Sequence, residues 1–205
     1  MSRKRLTKRR GISTVITTVI ILVASVVLAA GVGTYGGSLF TQNAQQEQVS
    51  ALDIKLWVHT ESDDGLAWGA TKIYNAGDKV VAVDTIKIRS FDVPTSQWYA
   101  DTTLDKVTFQ QSLNFTGWEG SSGNIKNSVG VCNGEDLQIA TSEGDICANV
   151  STGPVILSPS QSAIIYFQLS NGTVTSQDSG AQATVSIFAG KSLVLESVTL
   201  EGRNP

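Results

Sequence analysis

Few residues in this chain are suited to catalysis. Its one histidine, His59, has no nucleophile motif near it in sequence, and no glycine-rich phosphate loop occurs. No enzyme activity and no cofactor are therefore expected, and His59 reads as a surface residue of a strand. The two cysteines, Cys132 and Cys147, enclose the fourteen residues NGEDLQIATSEGDI. A metal centre there would need further ligands, and His59 is distant in sequence. Outside the cytoplasm a disulfide is the default for such a pair. Closing a loop of this size is worth about 3 kcal/mol in the entropic account. Two acidic groups, Glu61/Asp63/Asp64 and Glu135/Asp136/Glu143/Asp145, carry oxygens of the kind that calcium takes. Neither follows the EF-hand spacing, so they read as solvated turns, and no metal is expected. Asn114, Asn149 and Asn171 each begin an N-x-Ser/Thr sequon, which makes them acceptors for N-glycosylation if the segment is exported.

Charge is unevenly placed. The first eleven residues, MSRKRLTKRRG, hold six of the 15 Lys and Arg and no acid, although the whole chain is −3. The remainder has nine cations against 18 acids, a net −9. Its folded part has no clustered Lys/Arg of the kind a nucleic-acid groove requires, so no nucleic-acid partner is expected.

Behind the basic head, residues 12–46 contain no charge at all. Those 35 residues would make a rod of roughly 50 Å as a helix rising ~1.5 Å per residue. Residues 15–33, VITTVIILVASVVLAAGVG, are alone about long enough to span a bilayer. Thr17, Thr18 and Ser25 can return their hydroxyls to the helix's own carbonyls, so they do not forbid insertion. Six cations before the run hold that end in the cytoplasm and send residues 51–205 outside. The polar stretch TQNAQQEQ (41–48), free of Gly and Pro, is expected to continue the helix. Ser25, Ala29, Gly33 and Gly37 recur every four residues and form a stripe on which helix backbones can approach closely. The same glycines can instead let the helix melt locally, since each costs roughly 1 kcal/mol against Ala.

After Ser50 the apolar period changes to two. DIKLWVHT (53–60) places Ile54, Leu56 and Val58 on one face. GATKIYN (69–75), the turn Ala76-Gly77-Asp78 and KVVAVDTIKIRS (79–90) read as a hairpin. Val81 and Val83 share a phase from which Ile86 and Ile88 slip, so a bulge is expected near Asp84–Thr85. Residues 162–170, 182–190 and 192–200 read as further strands. Residues 111–160, rich in Gly, Ser and Asn, read as loops with short strands. Strands at turn-punctuated spacing predict a two-sheet sandwich.

The junction Arg9-Arg10-Gly11 followed at once by ISTVITTVIILVASVVLAAGVG resembles the class III signal peptide of archaeal type IV pilins and archaellins. The resemblance is specific over about residues 3–50 and looser over 51–92 and 155–200. There, YNAGD before VVAVDTIKIRS, LSPSQSAIIYFQLS, and a late strand ending in Phe188-Ala189-Gly190 look like strands of the family's heads. It implies that a prepilin-type peptidase cuts between Gly11 and Ile12 on the cytoplasmic side. The cationic anchor would be lost while the helix is kept. Bacterial type IV pilins carry a Glu five residues into the mature helix, where this chain has Ile16, so that contact is not transferable.

The expected architecture is α+β: a class III signal peptide over 1–11, an assembly helix over 12–50, and an extracellular, immunoglobulin-like β-sandwich head over 51–205. The expected function is mechanical. Subunits held in the membrane before assembly would pack their helices into a filament core with heads outward, using the peptidase and the pilus assembly machinery. An adhesive pilus is favoured, with the motility filament as the alternative. Two other readings keep the basic start and apolar run. An ordinary secretory signal would be cut near Ala29–Ala30 and discard the helix, and a single-span anchor would carry a head that never polymerises.

Overall fold

Thirty-nine residues with no proline and no charge after Arg10 would be expected to coil into one helix, and they do. In the computed structural model, which describes residues 5–43, 47–61, 65–119 and 123–204, α1 runs over Arg5–Asn43. Its interior is rich in Val, Ile and Thr, which are indifferent helix formers in water. In an apolar medium the backbone must satisfy its own hydrogen bonds, and the helix is then the obligatory form. The helix does not continue to residue 48 as expected. Glu47 and Gln48 are non-helical and lead into β1 (Val49–His59), while 44–46 lie outside the described residues. The chain forms two separate units, residues 1–45 and 46–205.

Among the described residues the second unit is mostly β, with one short α-helix and two single-turn 3-10 helices (Thr95–Gln97 and Ser176–Asp178). Its remaining elements are β2 (Ala67–Asn75), β3 (Val81–Ile88), β4 (Phe91–Val93), β5 (Trp98–Asp101) and α2 (Lys106–Gln110). After these come β6 (Leu137–Ala140), β7 (Asp145–Val150), β8 (Val155–Leu157), β9 (Ser162–Gln168), β10 (Gln182–Ala189) and β11 (Ser192–Arg203). One sheet orders β1-β2-β9-β5-β7-β6 and the other β4-β3-β10-β11, with β8 also on β3. Strand β11 belongs to both. Residues Ser192 to Thr199 pair antiparallel with β10, and Leu200 to Arg203 pair parallel with β1. The result is the expected α+β architecture, a helix followed by a two-sheet β-sandwich head.

Alternation decides what each sheet buries. Ile54, Leu56 and Val58 of β1, Ile73 of β2 and Ile165 and Phe167 of β9 face Val81, Val83, Ile86, Ile88, Val185 and Ile187 of the other sheet in one core. Gly69 lies under the Phe167 ring; a Cβ there would stand 2.3 Å from that ring and 2.7 Å from Leu56, so no larger residue fits. The slip in β3 is a bulge, as expected. Thr85 opposes Phe188 and Val83 opposes Ala189, which leaves Asp84 as the extra, exposed residue and turns both apolar pairs inward. The expected hairpin of residues 69–90 does not form. β2 pairs with β1 and β9, whereas β3 pairs with β10, β4 and β8, so the turn at 76–80 carries the chain between sheets.

The opposite face of the first sheet is buried too. Trp57, Trp68, Ile164 and Tyr166 point away from the first core and meet Leu113, Trp118, Ile125, Leu137 and Ile139 in a second. The segment expected to be loops with short strands has those short strands, and much of it packs as a third layer fixed at identifiable points. The Trp68 indole N–H donates to the Gly123 carbonyl (2.8 Å), the Tyr166 hydroxyl to Asn114 (2.7 Å) and the Trp118 N–H to Arg203 (3.0 Å). Asp53 sits at a β1 bulge with φ 50°, accepts from the Leu113 N–H at 3.0 Å and pairs with buried Lys72 at 3.3 Å. The Lys72 ammonium also donates to the Gln111 carbonyl.

Candidate functional site

The apolar rod is the feature of greatest chemical consequence. Ser13–Ser38, 26 residues, satisfies the length and composition of a membrane span, and none of it is buried. Its hydroxyls return to its own backbone as expected. Thr17 donates to Ser13, Thr18 to Val15, Ser25 to Leu22, Thr34 to Ala30 and Ser38 to Tyr35, all at 2.8–2.9 Å. These five hydroxyls are satisfied within the rod, which presents a largely apolar surface. Ser25, Ala29, Gly33 and Gly37 lie exposed along it, and Cβ atoms added at Gly31, Gly33, Gly36 and Gly37 would meet nothing within 4 Å. Gly11 and Ile12 lie within the helical stretch of the backbone; their side chains are outside the described residues.

A collar of turns surrounds the point where the chain enters the head. Asn75, fully buried, donates through Nδ2 to the carbonyls of Lys79 (2.7 Å) and Leu157 (3.0 Å) and accepts the Gly77 N–H on Oδ1 (3.0 Å). One side chain thus closes the 76–80 turn and binds it to β8. The backbone N–H groups of Ala76 and Gly77 both donate to the Gln48 carbonyl. Glu47 accepts the Lys191 N–H (2.9 Å) on its carboxylate and the Ser192 hydroxyl (2.8 Å) on its carbonyl. Gly190, at φ 58°, lets the β10–β11 turn come close to that carboxylate: a Cβ would lie 2.6 Å from Glu47 Oε2. The motif YNAGD and the Gly190 strand end therefore have a shared structural reason, although no period in the sequence reveals it.

Cys132 and Cys147 are bonded, with Cα atoms 5.8 Å apart, so the loop before β6 is tied to β7. The Cys147 N–H also donates to Asp101 Oδ2 at 2.8 Å. Asn114, Asn149 and Asn171 are all exposed, so a transferase can reach each. Asn114 Nδ2 is shared with the Ala140 carbonyl. Of the acidic groups, Asp63 and Asp64 lie outside the described residues. Asp136 accepts the Val150 N–H (2.8 Å). Among the described residues no three His, Cys, Asp or Glu side chains converge.

His59 is not a surface residue. It is 6% exposed, its ring lies 5.0 Å from that of Trp118, and Nδ1 accepts the Glu61 N–H. The third layer converts the outward face of β1 into core, which covers the ring.

Asp178 and Tyr166 are both perturbed by their surroundings. The Arg89 guanidinium, 2.9 Å away, and the Thr175 N–H hold the Asp178 carboxyl down to about 2. Burial pushes the Tyr166 phenol well above its ordinary value, so it serves as a neutral hydrogen-bond donor.

No protein-family model matches the sequence, and no curated protein matches it either.

Proposed function

We infer that the chain is a structural subunit of an archaeal type IV pilus-like surface filament that serves adhesion, with its helices packed in the core and its β heads outside. The observation that carries this reading is the rod: 26 successive residues with an exposed, largely apolar surface, five of whose hydroxyls bond back to its own backbone. Such a helix needs either lipid or other apolar helices around it. Burying apolar surface is worth about 25 cal/mol per Å². Where the rod leaves lipid, only copies of itself offer a comparable surface.

The basic start and the Arg10-Gly11 junction directly against the apolar run supply the route. A cut after Gly11 removes the cations that hold the helix in the membrane. The collar supplies a firm attachment, because tension along the rod enters the head through Glu47 and Gln48, which are hydrogen-bonded to two separate turns.

Electron microscopy of the cell surface with an antibody to the head tests the reading. Label spaced along thin filaments is expected. Label confined to the cell body, with no filament carrying it, would replace it with a membrane-anchored module that does not polymerise.

A further inference from the structure

The three sequons differ in what the fold leaves open. Transfer of a glycan needs the asparagine amide nitrogen as nucleophile and the hydroxyl two residues on, both on backbone that a transferase can draw into its own site. Exposure of the asparagine alone does not supply this. Asn114-Phe115-Thr116 is anchored at every residue. The Asn114 amide donates to the Ala140 carbonyl at 3.1 Å, and its backbone carbonyl accepts the Tyr166 hydroxyl at 2.7 Å. The Phe115 ring packs 5.3 Å from that of Trp57 and 5.1 Å from that of Trp118. The Thr116 hydroxyl donates to the Lys126 carbonyl. Presenting this sequon means pulling an aromatic ring away from the second core.

Asn149-Val150-Ser151 is held in a sheet. Asn149 and Val150 end β7, paired with Ala100 and Tyr99 of β5. The Val150 N–H donates to Asp136 Oδ2 at 2.8 Å, and the Ser151 N–H to the Trp98 carbonyl at 2.7 Å. The Ser151 hydroxyl donates to the Gly153 carbonyl. A transferase would have to strip this strand from β5.

Asn171-Gly172-Thr173 is different. It lies in the turn after β9, closed by the Thr173 N–H on the Ser170 carbonyl at 3.1 Å. Gly172, at φ 82°, takes the third place of that turn, where a type II turn requires positive φ. Asn171 and Gly172 are exposed, and a Cβ added to Gly172 would meet nothing within 4 Å. Among the described residues neither the Asn171 amide nor the Thr173 hydroxyl has a hydrogen-bond partner. The buried side chains nearest to it, Leu169 and Val174, flank the sequon instead of lying within it.

We propose that Asn171 is the residue through which the folded head takes an N-linked glycan, from an oligosaccharide carried on a lipid phosphate, and that Asn114 and Asn149 stay bare. The Asn171 Nδ2 bonds to C1 of the sugar as the bond from C1 to the carrier's phosphate oxygen breaks. The lipid phosphate leaves with that electron pair, and the amide proton passes to a base of the transferase. Along β9, Ser162 pairs with Tyr74 beside the collar, whereas Gln168 pairs with Trp68 at the other end. The glycan therefore stands at the end of the head opposite the collar. The proposal needs export of the head but not its assembly, so it stands or falls apart from the filament reading.

Glycopeptide mass spectrometry on the chain recovered from the cell surface tests it. Peptides holding Asn171 should carry glycan in most copies, and those holding Asn114 or Asn149 should be bare. Thr173→Ala should remove the whole glycan mass from the intact chain. Glycan on Asn114 or Asn149 in a share comparable with that on Asn171 would overturn the assignment, as would surface protein bare at all three. A second measurement separates fold from sequence. Synthetic peptides of residues 110–119, 145–155 and 167–177, offered to membranes of the same cells, should all be modified, since none keeps the contacts of the folded head. Refusal of either the Asn114 or the Asn149 peptide would place the selection in the sequon itself and contradict the account.

Discussion

Asn75 shows how one side chain can hold a boundary. It closes a turn, grips a neighbouring strand and is fully buried. Asn75→Ala takes a buried donor from the Lys79 and Leu157 carbonyls and should cost the head about 2–3 kcal/mol, read from chemical denaturation. Asn75→Asp keeps only the acceptor and should be no better, because a carboxylate then faces two carbonyl oxygens. Lys72 has a comparable part on the other face. Lys72→Met leaves Asp53 partly desolvated and the Gln111 carbonyl unpaired, for a loss of about 2–3 kcal/mol, since Asp53 keeps some access to water. Asp178 makes stability depend on acid. Its folded value, about 2, lies below that of an unfolded aspartate, so its contribution is complete above the unfolded value. That contribution fades as pH falls from about 4 towards 2. Thermal melts of the wild type and Asp178→Asn should therefore differ at pH 6 and converge near pH 2. A difference unchanged between those pH values would contradict the Arg89–Asp178 account.

At the scale of elements, the β3 bulge was readable because its cause is a phase slip. Two valines and two isoleucines cannot share one core face unless a residue is inserted between them, and Asp84 is that residue. Deleting Asp84 should turn Val81 and Val83 outward and abolish a cooperative folding transition, as followed by circular dichroism. The turn at 76–78 was equally visible, but turn chemistry says only that the chain reverses. Which sheet receives the next strand depends on packing that the local residues do not encode, and so β2 and β3 lie in different sheets instead of forming the expected hairpin. The third layer was hidden for a different reason. Its strands are of four to six residues, too short for a period, and its fixing points are single side chains far apart in sequence, such as Trp68 with Gly123 and Tyr166 with Asn114. The available sign was on the older strands. Trp57 between Leu56 and Val58, and Ile164 and Tyr166 beside Ile165, make β1 and β9 apolar on both faces, which marks a strand covered twice. The same sign would have placed His59 inside. The disulfide needed only compartment and count. Cys132→Ser with Cys147→Ser should lower the head's stability by about 3 kcal/mol, measured against the oxidised wild type.

At the scale of the molecule the account depends on what surrounds the rod. Gly33 has open space around it within the chain, so Gly33→Leu strains nothing internal, and it raises both hydropathy and helix propensity. Any penalty must come from neighbours. If the Ser25–Ala29–Gly33–Gly37 stripe is a packing surface, the added side chain costs about 1–3 kcal/mol at each subunit contact. Filament yield should then fall while processed protein accumulates in membranes. Unchanged yield would mean the stripe faces something more accommodating.

The most direct test of the central claim is the intact mass of the subunit recovered from sheared surface filaments. The account predicts a polypeptide beginning at Ile12, carrying the whole rod and the oxidised head, with any excess mass accounted for by glycans. A chain that begins near Gly31 would show that the apolar run is a discarded secretory signal. A chain found only in membranes with residues 1–11 retained would show an anchor that never assembles. Either result would contradict the filament reading.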